Sequence, residues 1–187
     1  MDHAVQCQCG HLQGQLSDTE RCTRVRCYCR DCQAFAEFLG KSGEILDAQG
    51  GTDVVVSHPR QLRFTAGQDA LVCMSLSDTG MLRWYASCCN SPIGNTARDP
   101  KGAFVGLISS FVARSEQELR AACGPVRMVS FPKQARGPVA STGWRAVRPM
   151  LGFIGQMLAT RLTGSYRHSP FFDASGKPLA APKVAQT

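Results

Sequence analysis

Cysteine is the residue of this chain whose spacing promises chemistry. Cys27-Tyr28-Cys29-Arg30-Asp31-Cys32 places three thiols within six residues. A second set stands at Cys7-x-Cys9-Gly10, and a third at Cys88-Cys89-Asn90-Ser91-Pro92. Closely spaced thiolates are ligands for a soft cation, and zinc is the ion such sets most readily hold. Four sulfurs close around zinc and stabilise a fold, whereas three leave a coordination position open to water or substrate. Cys27, Cys29 and Cys32 are therefore the candidate catalytic set. Cys7 and Cys9 need two further ligands, and Cys88 and Cys89 complete a four-cysteine site with them. Cys89 leads directly into the turn and is the preferred member of that adjacent pair. The other reading of the pair is that one sulfur ligates and its neighbour does not. One or two zinc ions per chain follow.

The backbone must bend to bring these sulfurs together. On a straight strand Cys27 and Cys29 would share a face about 6–7 Å apart. That is too far for two metal–sulfur bonds of about 2.3 Å, so the segment must curl. Apolar residues at Ala34, Phe35, Phe38 and Leu39, closed by Gly40, predict a short helix just after Cys32. Its N-terminal N–H groups would face the thiolates. Gly10 supplies the turn behind Cys9, and Asn90 tolerates a left-handed backbone behind Cys89. Strands are predicted through Leu12–Leu16 and over 53–57, 62–65, 70–76 and 81–85, with Gly and Asp turns between them. The pattern is that of an antiparallel, mainly β body. His11 reads as a surface or strand histidine and His58 as a loop residue. Cys22 reads as a half-buried thiol, and Cys73 and Cys123 as packed ones. Arg30 reads as solvated and Tyr28 as a packing residue.

At 187 residues the chain is long enough for one cored domain and an extension. We place a zinc-binding β domain at 1–112 and a C-terminal extension at 113–187. No apolar run is long enough to span a membrane, and the polar start lacks the pattern of a leader. A cytoplasmic location is expected, where ten cysteines argue for metal sites over disulfides. The net charge of +7 is unevenly placed. Residues 1–110 carry 10 basic and 11 acidic side chains, and residues 111–187 carry 11 and 3. The basic residues are scattered singly, which argues against a nucleic-acid partner.

Ser115 and Glu118 form a capping-box pattern for a helix that Gly124-Pro125 ends. Residues 126–140 read as extended. Pro149 suits the first turn of a helix running to Leu162. Met150, Leu151, Ile154, Met157 and Leu158, widened by Phe153, form a stripe predicted to pack on the domain or to pair two copies through 149–162. Arg145, Arg148 and Arg161 around it allow a membrane-surface role instead. Phe171 and Phe172 read as an ordered patch before a loose end.

The order Cys-x-Cys-Gly, Cys-x-Cys-x-x-Cys, a run of strands, then cysteine before Asn-Ser-Pro resembles the glutathione-dependent formaldehyde-activating enzyme family. That family also contains centromere protein V, and the resemblance covers roughly residues 5–110. It implies a β-tent fold with a structural zinc, carried over to Cys7, Cys9 and Cys89, and a catalytic zinc, carried over to Cys27, Cys29 and Cys32. It also implies a carbon–sulfur lyase of the S-(hydroxymethyl)glutathione synthase kind, acting on a small thiol such as glutathione and a small aldehyde. The chain departs from the family pattern at Tyr28, where histidine is usual, and at Ala86, where the first late cysteine is expected. Cys88 would substitute for it in a shifted register. Two other readings compete. One is a non-catalytic zinc-stabilised module whose basic C-terminal part engages a protein or anionic partner. The other is an oxidisable thiol cluster.

Overall fold

The computed structural model describes residues 2–185, with side-chain surroundings for all of these except 145, 146, 148, 149 and 156. The strands are β1 His3–Gln6, β2 Gln13–Leu16, β3 Thr23–Cys27, β4 Thr52–Ser57, β5 Leu62–Ala66 and β6 Leu71–Ser75. They continue with β7 Leu82–Ala86, β8 Ser91–Thr96, β9 Val105–Ile108, β10 Val126–Ser130 and β11 Lys183–Val184. The helices are α1 Arg30–Phe38, α2 Ser42–Ile45, α3 Ser109–Val112, α4 Glu116–Cys123 and α5 Val147–Thr163. A small sheet has the order β1-β2-β5, and a large one has the order β10-β3-β4-β9-β8-β7-β6-β11.

The large sheet is mixed, where the sequence predicts a purely antiparallel one. Its six inner strands pair antiparallel, while β10 joins β3 and β11 joins β6 in parallel. Parallel neighbours need long crossovers. The chain meets that need with α4 before β10 and with the whole C-terminal segment before β11. The result is a mixed α/β fold with C-terminal helices. Residues 126–140, read as extended, are so in β10, with a short helical turn at Pro132–Gln134 after it, and the predicted loose end returns to a sheet edge.

The inner strands are covered on both faces, so β8 is buried along its full length and β4 at five of six positions. Trp84 is the largest fully buried side chain, and its indole N–H donates to Thr96 Oγ1 at 3.0 Å. Phe171 packs on it with ring centroids 5.0 Å apart, and Phe64 meets the other side of Phe171 at 5.6 Å. Residues from 1–112 and from 113–187 thus share one hydrophobic cluster. Cys22, expected to be half-buried, is fully buried in that cluster beside Cys123, because the short helical turn at Thr19–Arg21 folds it inward.

Ser115 caps α4 by accepting the Glu118 N–H at 3.2 Å, and Gly124 ends the helix at φ 75°. A guanidinium is buried beside this helix. Arg24 on β3 is wholly enclosed and reaches Asp53 on β4, Glu116 Oε2 at 2.8 Å and the Gly124 carbonyl at 2.9 Å. Three elements are thereby tied together just ahead of Cys27.

Helix α5 meets the expectation in part: Phe153 and Met157 of the predicted apolar face turn toward the domain, and the rest of the stripe does not. Met150, Leu151, Ile154 and Leu158 are exposed, while Phe153 packs on Phe104 at 5.7 Å and Thr160 bonds His58. The helix is apolar almost all round, so a stripe read from periodicity does not select the buried face. The side chains of Arg145, Arg148 and Pro149 lie outside the described set. No helix among the described residues is long and apolar enough to cross a membrane.

His58 is a buried cap, not the loop residue that its neighbouring proline suggests. Its Nδ1 accepts the Arg60 N–H at 3.2 Å, and its own backbone N–H donates to Gln61 Oε1 at 2.7 Å. With Nδ1 an acceptor, Nε2 carries the proton and donates to the Thr160 hydroxyl. Burial lowers the His58 pKa, and Arg60 adds to the effect. The unfolded chain protonates this histidine near the ordinary value of about 6.5. Its contribution to stability is therefore full above about 6.5, and is lost as pH falls through that value toward the lowered folded one. Urea unfolding midpoints measured from about pH 8 to 5.5 are expected to fall less for His58→Gln than for the wild type. Equal slopes would refute this assignment.

Candidate metal centres

Seven cysteine sulfurs gather into two groups, and within each group all sulfurs lie within 4.8 Å of one another. The first group is Cys7, Cys9, Cys88 and Cys89. Cys7 Sγ lies 3.6 Å from Cys9 Sγ and 3.8 Å from Cys88 Sγ. Cys88 Sγ is also 3.4 Å from Cys9 Sγ and 3.7 Å from Cys89 Sγ. Four sulfurs tetrahedral around zinc at bonds of about 2.3 Å stand about 3.8 Å apart. The donor set and its spacing fit zinc, and no disulfide is formed.

Local chemistry explains the approach. Gly10 takes φ 79° and its N–H bonds the Cys7 carbonyl at 3.0 Å, which turns the chain between β1 and β2. Asn90 takes φ 51°, the left-handed conformation expected of it, and turns β7 into β8. Cys88 and Cys89 both sit in that turn, so their sulfurs reach the same point despite being sequence neighbours. The preference for Cys89 over Cys88 is not reproduced in this geometry, since Cys88 contacts three of the other sulfurs. Ala86 is buried at the last position of β7, and its carbonyl accepts the Cys89 N–H at 3.4 Å, so it closes the turn without offering a ligand. Burial raises the Cys89 pKa, but bonds from the Ser91 hydroxyl and from Cys9 outweigh it and bring the thiol to about 6.

The second group is Cys27, Cys29 and Cys32. Strand β3 ends at Cys27, and α1 begins at Arg30, earlier than the start after Cys32 that the sequence predicts. Cys29 is the N-cap: its sulfur accepts the Cys32 N–H at 3.4 Å. Cys32 then comes round in the first turn, and its sulfur lies 3.8 Å from that of Cys27. Helix initiation inside the motif is thus what curls it. The thiols of Cys27 and Cys32 lower the Cys29 pKa most, with the Cys32 N–H and Arg83 acting in the same sense. Among the described residues no histidine, fourth cysteine or carboxylate joins this group.

Arg83 is the residue here that sequence reasoning missed. It lies on β7 between two core residues, and alternation alone reads it as an outward cation. It is 2% exposed. Its Nη1 lies 4.0 Å from Cys32 Sγ and donates to Asn95 Oδ1 at 3.1 Å, while Nη2 pairs with Asp31 at 3.3 Å. The guanidinium also lies over the Phe35 ring, 5.6 Å from its centroid. A fixed cation thus faces the thiolates from the side of the sheet. Tyr28 is buried and donates to Asp47 Oδ2 at 3.1 Å, and Arg30 is exposed. His11 pairs with Asp69 at 3.3 Å, away from both clusters, and Cys73 lies in the core.

No curated protein matches this chain. A solved crystal structure of a Rhodobacter sphaeroides protein is similar at 14% identity and a TM-score of 0.44, over 66% of this chain and 96% of that one. A family model matches residues 2–183, and the chain accordingly belongs to the family described as a family of unknown function, DUF6151.

Proposed function

We propose that this chain is a zinc-stabilised binding module whose basic C-terminal part engages an anionic partner. The observation that supports it most is the grouping of seven sulfurs into two sets at the spacing of tetrahedral thiolate ligands. Cys7, Cys9, Cys88 and Cys89 would hold one ion, joining the β1–β2 turn to the β7–β8 turn. Cys27, Cys29 and Cys32 would hold a second, joining the end of β3 to α1. The binding surface belongs to the C-terminal part, which carries 11 basic and 3 acidic side chains over residues 111–187.

A second reading has a specific observation in its favour: the three-cysteine group has no fourth protein ligand among the described residues. Cys27, Cys29 and Cys32 would hold the ion, and zinc bound there would supply Lewis acidity that favours the thiolate form of a thiol substrate. On this reading the protein is a carbon–sulfur lyase, and the resemblance supplies glutathione, formaldehyde and the β-tent arrangement. A bond forms between the thiol sulfur and the aldehyde carbon, and the thiol proton ends on the aldehyde oxygen. Arg83 holds Cys32 in place, and Asp47 holds Tyr28 away from that chemistry.

One pair of measurements separates the two readings. Co-sedimentation with phosphatidylglycerol vesicles, weakened by added salt and absent with phosphatidylcholine, is expected of the binding module. Exchange NMR of glutathione with formaldehyde is expected to proceed at the buffer rate. An acceleration that disappears in Cys29→Ser would replace the first reading by the second. Absence of acceleration together with absence of binding to any anionic ligand, vesicle or free, would sink both.

A further inference from the structure

A cleft of about 690 Å³ opens between α5 and the end of β4. That volume lies within the range of about 300–1,000 Å³ typical of small-molecule sites. It is remote from the three-cysteine group. Cys27 pairs with Thr52 at the start of β4, whereas Ser57 and His58, which line the cleft, stand at its other end. Five residues of strand separate the two by about 17 Å. Phe104, Phe153 and Met157 give the cleft an apolar wall, and Arg21, Arg60 and Arg127 line it with cations.

Two independent observations point to a ligand. The Ser57 hydroxyl is buried and has no hydrogen-bond partner among the described residues. A buried hydroxyl left unpaired is costly, so a polar atom arriving in the cleft would be stabilised there. His58 and Thr160 satisfy one another and do not supply that atom. The second observation is charge. The Arg60 and Arg127 guanidinium groups enter no ion pair among the described residues, whereas Arg21 acts on the neighbouring Glu20 carboxylate, which also has a further partner of its own. Residues 119–172 contain no Asp or Glu at all. A cleft with an apolar wall and unpaired cations matches a molecule that is apolar along its length and anionic at one end.

We propose that this cleft binds a single-chain amphipathic anion. Its carboxylate or phosphate head meets Arg21, Arg60 and Arg127, and its hydrocarbon chain lies along Phe104, Phe153 and Met157. This deepens, and rests on, the reading that the chain engages an anion, and it places the site between the C-terminal part, through Arg127, Phe153 and Met157, and Arg21, Arg60 and Phe104 of the preceding residues. It does not depend on which cysteine group holds zinc.

Isothermal titration of the intact, zinc-supplemented chain with dodecanoate, below its micelle concentration, tests the proposal. One site per chain is expected, with dodecyl phosphate behaving alike. Octanoate, four methylenes shorter, is expected to bind about a hundredfold more weakly. Replacing Arg60 and Arg127 together by Gln should weaken dodecanoate by about tenfold or more. Both arginines are exposed, so the fold should tolerate the change. Gly152→Leu gives a second, steric test. Gly152 lines the cleft and a Cβ there meets nothing within 4 Å, so a leucine can be placed at the cleft wall without displacing the helix. It should weaken dodecanoate by about tenfold with no loss of thermal stability. Absence of dodecanoate binding would overturn the proposal. So would binding that neither variant affects, or equal binding of dodecyltrimethylammonium.

The phosphatidylglycerol vesicles separate the outcomes further. Dodecanoate binding without vesicle binding supports the cleft and names a free single-chain anion as the ligand. Dodecanoate and vesicle binding that are both lost in Gly152→Leu support the cleft with a bilayer lipid as the source. Vesicle binding without dodecanoate binding ends the cleft proposal and leaves the anionic-partner reading standing. Absence of both ends the two together.

Discussion

Cys7→Ser is expected to abolish cooperative unfolding at room temperature, or to lower stability by on the order of 5 kcal/mol or more. Cys7 and Cys88 are separated by 81 positions in the chain, yet their sulfurs lie 3.8 Å apart. A metal bridge there closes a long loop and fastens the small sheet to the β7–β8 turn of the large one, and clips across long loops carry the largest entropic gain. A structural zinc contributes folding free energy directly, on the scale of a domain's whole net stability. Cys73→Ala is the control, because Cys73 is equally buried but belongs to neither group. Its loss should be about 1 kcal/mol, typical of a small core change. Thermal unfolding followed by circular dichroism, with and without a strong zinc chelator, makes the comparison. The chelator should destabilise the wild type and Cys73→Ala alike and change Cys7→Ser far less. Equal losses in the two variants would mean that Cys7 is only a packed thiol.

Arg24→Met is expected to cost about 3 kcal/mol, near the lower end for breaking a buried ion pair from one side. The substitution strands Asp53, which is mostly buried, and leaves the Gly124 carbonyl without its donor. Arg26 Nη2, 3.1 Å from Asp53, still offers that carboxylate a partner and holds the loss to the lower end. Burial acts to lower the Arg24 pKa, but Glu116 and Asp53 outweigh it and raise it. Glu116→Gln, by contrast, should cost less than about 1 kcal/mol, since an exposed partner is screened by solvent. The Glu116 side chain is 66% exposed. Urea denaturation of the two variants gives both numbers. A loss in Glu116→Gln as large as that in Arg24→Met would place the energy in α4 capping and not in the buried pair.

The parts of this molecule that were legible in its sequence are those with a local cause. The spacing of Cys27, Cys29 and Cys32 announced a bend, and the bend is there. Gly10 and Asn90 announced turns, and both adopt positive φ. The strands from β4 to β7 lie close to where the turn residues bound them, although burial on both faces removes any alternation along β4, β6 and β7. What was hidden depends on distant partners. β10 and β11 are edge strands whose parallel pairing is set by long crossovers, and neither carries a strong pattern of its own. Helix α5 is apolar nearly all round, so its sequence left open which face meets the sheet. Arg83 was invisible as a site residue because its role depends on Asp31, Asn95 and Phe35 converging from α1 and β8. His58 was misread because a His-Pro step is an ordinary turn signal, and only the fold buries it.

The central claim is that the two cysteine groups are two zinc sites. It is tested most directly by zinc per chain, measured by elemental analysis on the wild type and on Cys29→Ser. Two zincs falling to one is the predicted result, because Cys29 belongs only to the three-cysteine group. A wild type that carries no zinc, or one zinc that Cys29→Ser leaves untouched, would contradict the account.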